Sequence, residues 1–411
     1  MIWKKVTLGD IASNIQTGPF GSQLHQSDYS EEGTPVVMPK DLVNGHISEL
    51  SIARVSEDHV NRLSRHKIEV GDILYSRRGD VGRCAFATDL EQGWLCGTGC
   101  LRVTIDSSKA VPKFVFYQLQ KAETVGWVEK HAVGATMLNL NTSILSSIPI
   151  EMPSIEEQQI IVDMLSAYDD LIENSQKQIK LLEEAAQRLY KEWFVDLRFP
   201  GHETTPLTDG IPEGWQYSPL SEVFDFVRGK SYTSKELSDT VGVLMANLKN
   251  IRAFGGYKRN AEKRFTGQFK ENQTLAAGDV VMGVTDMTQE RRLVGHVALV
   301  PDMGEAMTFS MDLIKIIPKL TDKLFVYSAL YYGGLSKQIS PLANGVNVLH
   351  LKPEAMMGIE MLIPHDAIVR AYHERISPII VRIEALQKQC DIAAEARDRL
   401  LPKLMNGEIE I

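Results

Sequence analysis

The stretch Ser154–Gly201, SIEEQQIIVDMLSAYDDLIENSQKQIKLLEEAAQRLYKEWFVDLRFPG, decides how this chain is organised. It opens with Ser154-Ile155-Glu156-Glu157 after Pro153, the pattern of a capping box. In that box the serine oxygen accepts from the third amide and the glutamate reaches back to the first. Apolar residues then recur in alternating steps of four and three: Ile161, Leu165, Tyr168, Ile172, Ser175, Ile179, Leu182, Ala186, Leu189 and Trp193. Such a/d spacing over more than four heptads predicts a long helix whose stripe packs on another helix. Phe199-Pro200-Gly201 ends it, and a Pro/Gly-rich linker follows.

A second copy of this pattern lies 211 residues further on: Tyr372, Ile376, Ile379, Ile383, Leu386, Cys390, Ala393, Arg397, Leu400 and Leu404. Each stripe has one polar lapse, Ser175 in the first and Arg397 in the second. Pro378 is expected to kink or restart the second helix, because proline lacks an amide donor and crowds the preceding turn. The copying extends outward. Trp3 and Leu8 match Trp215 and Leu220, and Gly71-Asp72-Ile73-Leu74 matches Gly278-Asp279-Val280-Val281. Val81-Gly82 matches Val294-Gly295, and Leu101–Ile105 matches Leu313–Ile317. Gly134, Leu138, Leu140, Ile148 and Pro153 recur at Gly345, Leu349, Leu351, Ile359 and Pro364. The chain is therefore read as two halves, each a β-rich body followed by one long helix. Leu101–Ile105 and Val294–Val300 read as strands within those bodies.

Bulk composition agrees with a multidomain globular protein: 411 residues, 44% apolar and 24% charged, with no long apolar run. The first residues lack the core of a signal peptide, and four scattered cysteines point to free thiols in a reducing cytoplasm. Cys96 and Cys100 are at most half a metal site, and no metal is expected. Net charge is −9, but its distribution is uneven. Lys249–Lys270 holds seven basic residues against Glu262 alone, and Arg62–Arg83 holds six against three acids. Residues 154–199 reverse this, with ten acids and five bases. Two basic islands separated by an acidic spacer suit a protein that touches nucleic acid at two places.

Enzymatic motifs are missing. Gly229-Lys230-Ser231 lacks the earlier glycine of a phosphate loop, since position 224 is Phe. There is no Asn-Pro-Pro-aromatic motif to grip a flipped base, and no glycine-rich turn for a nucleotide cofactor. Asp302 and Glu305 read as surface acids, and the ten histidines are not grouped. A non-catalytic DNA reader is the favoured reading; a self-contained methyltransferase or nuclease, and a coiled-coil adaptor without DNA contacts, are the alternatives. Two matched helices packed antiparallel would relate the halves by a pseudo-twofold axis, as in readers of half-sites a helical turn or more apart.

Arg77, Arg78 and Arg83 in the first island, and Arg291 and Arg292 in the second half, are candidates for base edges, where arginine forks onto guanine. Gln23 stands in the polar loop Thr17–Gln23, and Lys40 is a further candidate. Lys249, Lys258, Arg259, Lys263 and Arg264 suit phosphates, which position a protein without reading sequence. Exposed charge or a salt bridge is the competing reading for each, and Tyr257 and Phe265 equally suit a core. Ile160, Met164 and Leu171 flank the first stripe, either packing on the chain's own bodies or forming a docking surface.

Several of these motifs carry a resemblance. Ile155–Gly201 resembles the central conserved region of the specificity subunits of type I restriction-modification systems. Ile211-Pro212-Glu213-Gly214-Trp215 resembles the opening of their second target-recognition domain. Leu400–Ile409 resembles their C-terminal ending, and Gly134-Ala135-Thr136-Met137 the end of a recognition domain. The resemblance implies an α+β fold in which two mixed α/β recognition domains, 1–153 and 206–364, are joined by two long antiparallel helices, 154–200 and 365–411. It implies double-stranded DNA as ligand and, as partners, two methyltransferase subunits and restriction/translocase subunits. No cofactor is implied for this chain; S-adenosylmethionine, Mg and ATP belong to the partners. The setting implied is the cytoplasm of a bacterium or archaeon.

Overall fold

The computed structural model describes residues 3–134 and 137–409, so Ala135 and Thr136 of the Gly134–Met137 motif lie outside the described residues. Two compact units emerge, Met1–Ile172 with Ile392–Ile411, and Glu173–Asp391. Both are mixed α/β, and each contains one portion of each long helix.

In the first unit, Ile73–Ser76 is buried along its whole length because both of its faces are covered. Alternation sorts its side chains: Ile73 and Tyr75 join a core with Phe114, Val115 and Ile161, whereas Leu74 joins Val37, Ile68 and Cys96. This strand lies in an antiparallel sheet ordered Ala12–Thr17, Cys100–Ile105, Ile73–Ser76, Cys84–Phe86. The helix Pro112–Leu119 covers one face. A second sheet runs Leu95–Cys96, Thr34–Val37, Ala53–Val55, Tyr29–Ser30, with its first pair parallel. Lys4–Thr7 pairs with Pro149–Met152, which brings the chain back to the long helix.

In the second unit, the antiparallel sheet runs Phe224–Arg228, Leu313–Pro318, Val280–Gly283, Val297–Leu299. Val280 and Met282 face one core and Val281 another. The other sheet runs Leu237–Ser238, Lys263–Phe265, Val243–Ala246, Met307–Phe309, Thr274–Leu275, with Val243–Ala246 and Met307–Phe309 parallel. Gln216–Pro219 pairs with Glu360–Ile363. The strand expected over Val294–Val300 is confined to Val297–Leu299, because Gly295 at φ 78° turns the chain just before it.

The central helix spans Ile155–Tyr190 and continues as a π-turn over Lys191–Val195. Its capping box is formed: Ser154 N donates to Glu157 Oε2 at 2.9 Å, and Glu157 N to Ser154 Oγ at 3.2 Å. The C-terminal helix spans Asp366–Met405 without interruption. It does not restart at Pro378, whose exposed position leaves the orphaned carbonyl four residues earlier free to bond water.

All twenty stripe residues are buried or half-buried, whereas Ile160, Met164 and Leu171 are exposed. In the second unit Ile179, Ile383 and Leu386 form one cluster, joined by Leu182, Ile379 and Cys390. Leu189 and Ile376 belong to that unit's main core, where Phe194 meets Tyr372 edge-on at 4.9 Å. In the first unit Ile161 and Leu165 share a core with Leu404, and Leu400 packs on it. Both polar lapses have partners: Ser175 hydrogen-bonds the Cys390 thiol, and Arg397 pairs with Asp169.

Candidate nucleic-acid interface

The shared sheet frame produces loops with their ends held by backbone bonds. In the first unit, Gly18 N donates to Cys100 O at 2.9 Å, and a Cβ on Gly18 would lie 2.0 Å from Gly97 O. Only glycine lets the chain pass there, and the loop Pro19–Gln23 then leaves the sheet. Gln23 Oε1 accepts from Phe20 N at 3.1 Å, so Gln23 closes this loop. Phe20 is 51% exposed and lies under the Arg77 guanidinium, 5.6 Å from its centroid.

Arg77 follows directly on Ile73–Ser76. Its N donates to Gly99 O and its O accepts from Leu140 N, both at 2.8 Å. The half-buried Arg77 side chain has no carboxylate partner among the described residues, and its Nε is sealed from solvent without an acceptor among them. Arg78 is exposed, its backbone bridged to Asn139. Arg83 is tied to Asp80 at 2.6 Å, and Lys40 Nζ donates to Ser51 O at 2.8 Å.

In the second unit the candidates divide the same way. Lys249 and Lys258 are exposed, with no side-chain partner among the described residues. With Arg252, Lys263, Asn260 and Glu262 they line an open cavity of about 740 Å³. Glu262 does not cancel this charge freely, because Tyr257 Oη and Asn250 Nδ2 hold its Oε1 at 2.8 and 2.9 Å. Tyr257 and Phe265 are core residues, 4% and 1% exposed. Lys263 Nζ bonds Tyr232 Oη at 3.1 Å and lies 5.2 Å from that ring's centroid. Arg259 pairs with Asp391 at 3.3 Å. Arg264 is bidentate to Glu305 at 2.9 and 3.1 Å, which raises the arginine's pKa and lowers the glutamate's.

Arg291 and Arg292 stand further from their sheet than Arg77, on a loop after the short strand Thr285–Asp286. Arg292 pairs with Glu290, while the half-buried Arg291 sits at φ 52° with no carboxylate partner among the described residues. Sequence reading passed over the residue that shapes this loop, Asp286. Its Oδ1 accepts from Thr288 N and Oγ1, both at 2.8 Å, and its Oδ2 from Leu293 N at 2.6 Å and Val294 N at 3.3 Å. Burial alone would raise the carboxyl, but these donors outweigh it and hold its pKa below the ordinary value. The one sequence signal was Thr two places after Asp, the pattern of an Asx turn.

The geometry is that of a binding protein with cations on anchored loops, and no metal-holding cluster of His, Cys, Asp or Glu occurs among the described residues. Comparison with known proteins names the class. Residues 2–184 match the family model described as the type I restriction modification DNA specificity domain. The type I restriction enzyme MjaIX specificity subunit of Methanocaldococcus jannaschii is 28% identical over 404 residues, covering 92% of this chain and 87% of that one. The HindI specificity subunit of Haemophilus influenzae is 22% identical, covering 99% of each. The fold is shared with the crystal structure of a type I restriction-modification S subunit from M. genitalium. That match has a TM-score of 0.61 and 16% identity, and covers 98% of this chain and 96% of that one.

The chain thus carries a match to the type I restriction modification DNA specificity domain over residues 2–184, and along nearly its whole length it is similar to specificity subunits of type I restriction enzymes. No helix among the described residues is long and apolar enough to cross a membrane.

Proposed function

We propose that each unit reads one half of a bipartite, asymmetric DNA site, and that the two long helices hold the readers apart as an antiparallel coiled coil. On this reading the recognition domains are 1–153 and 206–364, the helices are 154–200 and 365–411, and a pseudo-twofold axis relates the halves. The observation that carries it is the recurrence of one sheet order in both units with different side chains on the loops. A common frame with unlike loops suits half-sites of unlike sequence.

Among the twelve candidates, Arg77, Arg78, Lys249, Lys258 and Arg291 have no side-chain hydrogen bond or ion pair among the described residues, which favours them for DNA. Arg83, Arg259, Arg264 and Arg292 must first exchange a carboxylate for a phosphate or base, Lys40 and Lys263 a neutral partner, and Gln23 its loop bond. The stripe residues of both helices hold the pair together. The exposed Ile160, Met164 and Leu171 suit methyltransferase docking, with restriction/translocase subunits joining that assembly. S-adenosylmethionine, Mg and ATP act on those partners.

The test is a methylome. The chain and its methyltransferase subunit are expressed in a methylation-deficient host, and modified bases are mapped by sequencing. A new two-part motif with a fixed gap is expected. A single undivided motif, or an intact complex that modifies nothing, would falsify the half-site reading.

A further inference from the structure

The two units place unlike residues on the same backbone node. Arg77 N donates to Gly99 O and Leu140 N to Arg77 O, both at 2.8 Å; Val284 N donates to Asp312 O and Leu351 N to Val284 O, both also at 2.8 Å. Each node directly follows the buried third strand of its sheet, Ile73–Ser76 or Val280–Gly283. The loop opposite is equally matched. Gly18 and Gly229 donate to Cys100 O and Leu313 O, and each passes a carbonyl so closely that an added Cβ would lie 2.0 Å from it. Two residues on stand Phe20 in one unit and Ser231 in the other. The node that carries the Arg77–Phe20 stack holds Val284 in the second unit, 6% exposed, and the ring on the matching loop there, Tyr232, lies under Lys263 instead.

We propose that Arg77 is a specificity-determining residue of the first unit and reads a guanine, with Phe20 holding the guanidinium plane. The inference rests on the half-site reading and deepens it by naming a base. Three features carry it. The Arg77 backbone is pinned on both sides, so the side chain starts from a fixed point. Among the described residues no carboxylate competes for it, and its sealed Nε confines outward contact to the two terminal nitrogens. Those two nitrogens match guanine O6 and N7, and an aromatic ring beneath a guanidinium reduces the freedom lost on binding. A phosphate contact would need none of this fixed geometry.

The methylome experiment tests it with R77V and F20S, which install the second unit's residues, and with R77K. In R77V one half of the motif is expected to lose its requirement at a single G·C pair, by about tenfold or more. The other half and the gap should stay as in the unaltered chain. F20S should relax the same pair less, and R77K should keep part of the preference. An unchanged motif with evenly slowed methylation would make Arg77 a phosphate anchor and overturn the proposal. Relaxation at an A·T pair would overturn the guanine assignment. If R77V abolishes methylation in an intact complex, F20S and R77K decide between the same outcomes. Failure of the half-site reading is distinguishable, because it would appear in the unaltered chain as an undivided motif.

Discussion

Arg397 Nη1 donates to Asp169 Oδ1 at 2.9 Å, joining the two long helices within the first unit. The same carboxylate accepts from Tyr117 Oη through Oδ2 at 2.5 Å, and burial together with that bond raises the tyrosine pKa. Asp169 therefore ties the central helix to the helix Pro112–Leu119 as well as to its helical neighbour. The polar lapse in the second stripe is one end of this network.

The network makes the two ends unequal. Asp169→Ala leaves Arg397 with Asp398 alone and the Tyr117 hydroxyl with Ser166 alone, and should cost about 2 kcal/mol of stability. Arg397→Met leaves Asp169 with the tyrosine donor and adds apolar contact to the stripe, so it should cost about 1 kcal/mol or less. Urea unfolding of the two variants checks the order. Equal losses would mean that Tyr117 contributes nothing to holding the carboxylate.

The parts legible in the sequence were those fixed by local periodicity. The Ser154 cap and the stripe through Ile161, Leu165 and Ile179 needed only spacing rules, and the helices follow them. Pro378 does not restart the second helix, since the rule counts a lost hydrogen bond without asking which side of the helix loses it. The basic islands revealed where cations gather but not which are already paired. Arg264 finds Glu305 across 41 residues of sequence, and Arg259 finds Asp391 on the distant C-terminal helix. Asp286 was passed over for a similar reason, since its Leu293 and Val294 amides become neighbours only when the loop closes.

Asp286 acts on the Met287–Leu293 loop as a positioning residue, because one carboxylate receives amides from both loop ends. Asp286→Asn keeps the size but replaces one acceptor oxygen with a donor facing amide donors. Amide hydrogen exchange at Thr288, Leu293 and Val294 should quicken by about tenfold or more, while Val280–Met282 exchange stays unchanged. Faster exchange spread over the whole unit would show a general stability role instead. In the methylome, only the half-site read by the second unit should blur.

His66 gives the first unit an acid-sensitive point. It is 1% exposed, its Nε2 accepts from Arg65 Nε at 3.0 Å, and burial, Arg65 and Arg102 lower its pKa from 6.5 to about 4. The unfolded chain therefore takes up a proton between these values that the folded chain refuses. The stabilisation from keeping this group neutral is full above about pH 6.5 and declines as pH falls toward about 4. The urea midpoint of the first unit should drop between about pH 7.5 and about pH 5.5. His66→Gln should have a lower midpoint at neutral pH but a flatter dependence. An equally steep profile in the variant would place the sensitivity elsewhere.

Lys249 and Lys258 separate anchoring from reading. Both are exposed, line the basic cavity of the second unit and have no acidic partner among the described residues. Each phosphate neutralised by a lysine releases counterions from duplex DNA, and the logarithm of the binding constant falls by about 0.9 per decade of salt for each. The double variant Lys249→Ala, Lys258→Ala in the assembled methyltransferase should bind more weakly at low salt, with the salt dependence shallower by about 2. Its methylated motif should be unchanged, because the lost contacts carry no sequence information. A normal salt slope with an unaltered motif would remove both residues from the interface. A normal slope with an altered motif would make this cavity a base-reading surface, and the anchoring role would then pass to other cations of the second unit.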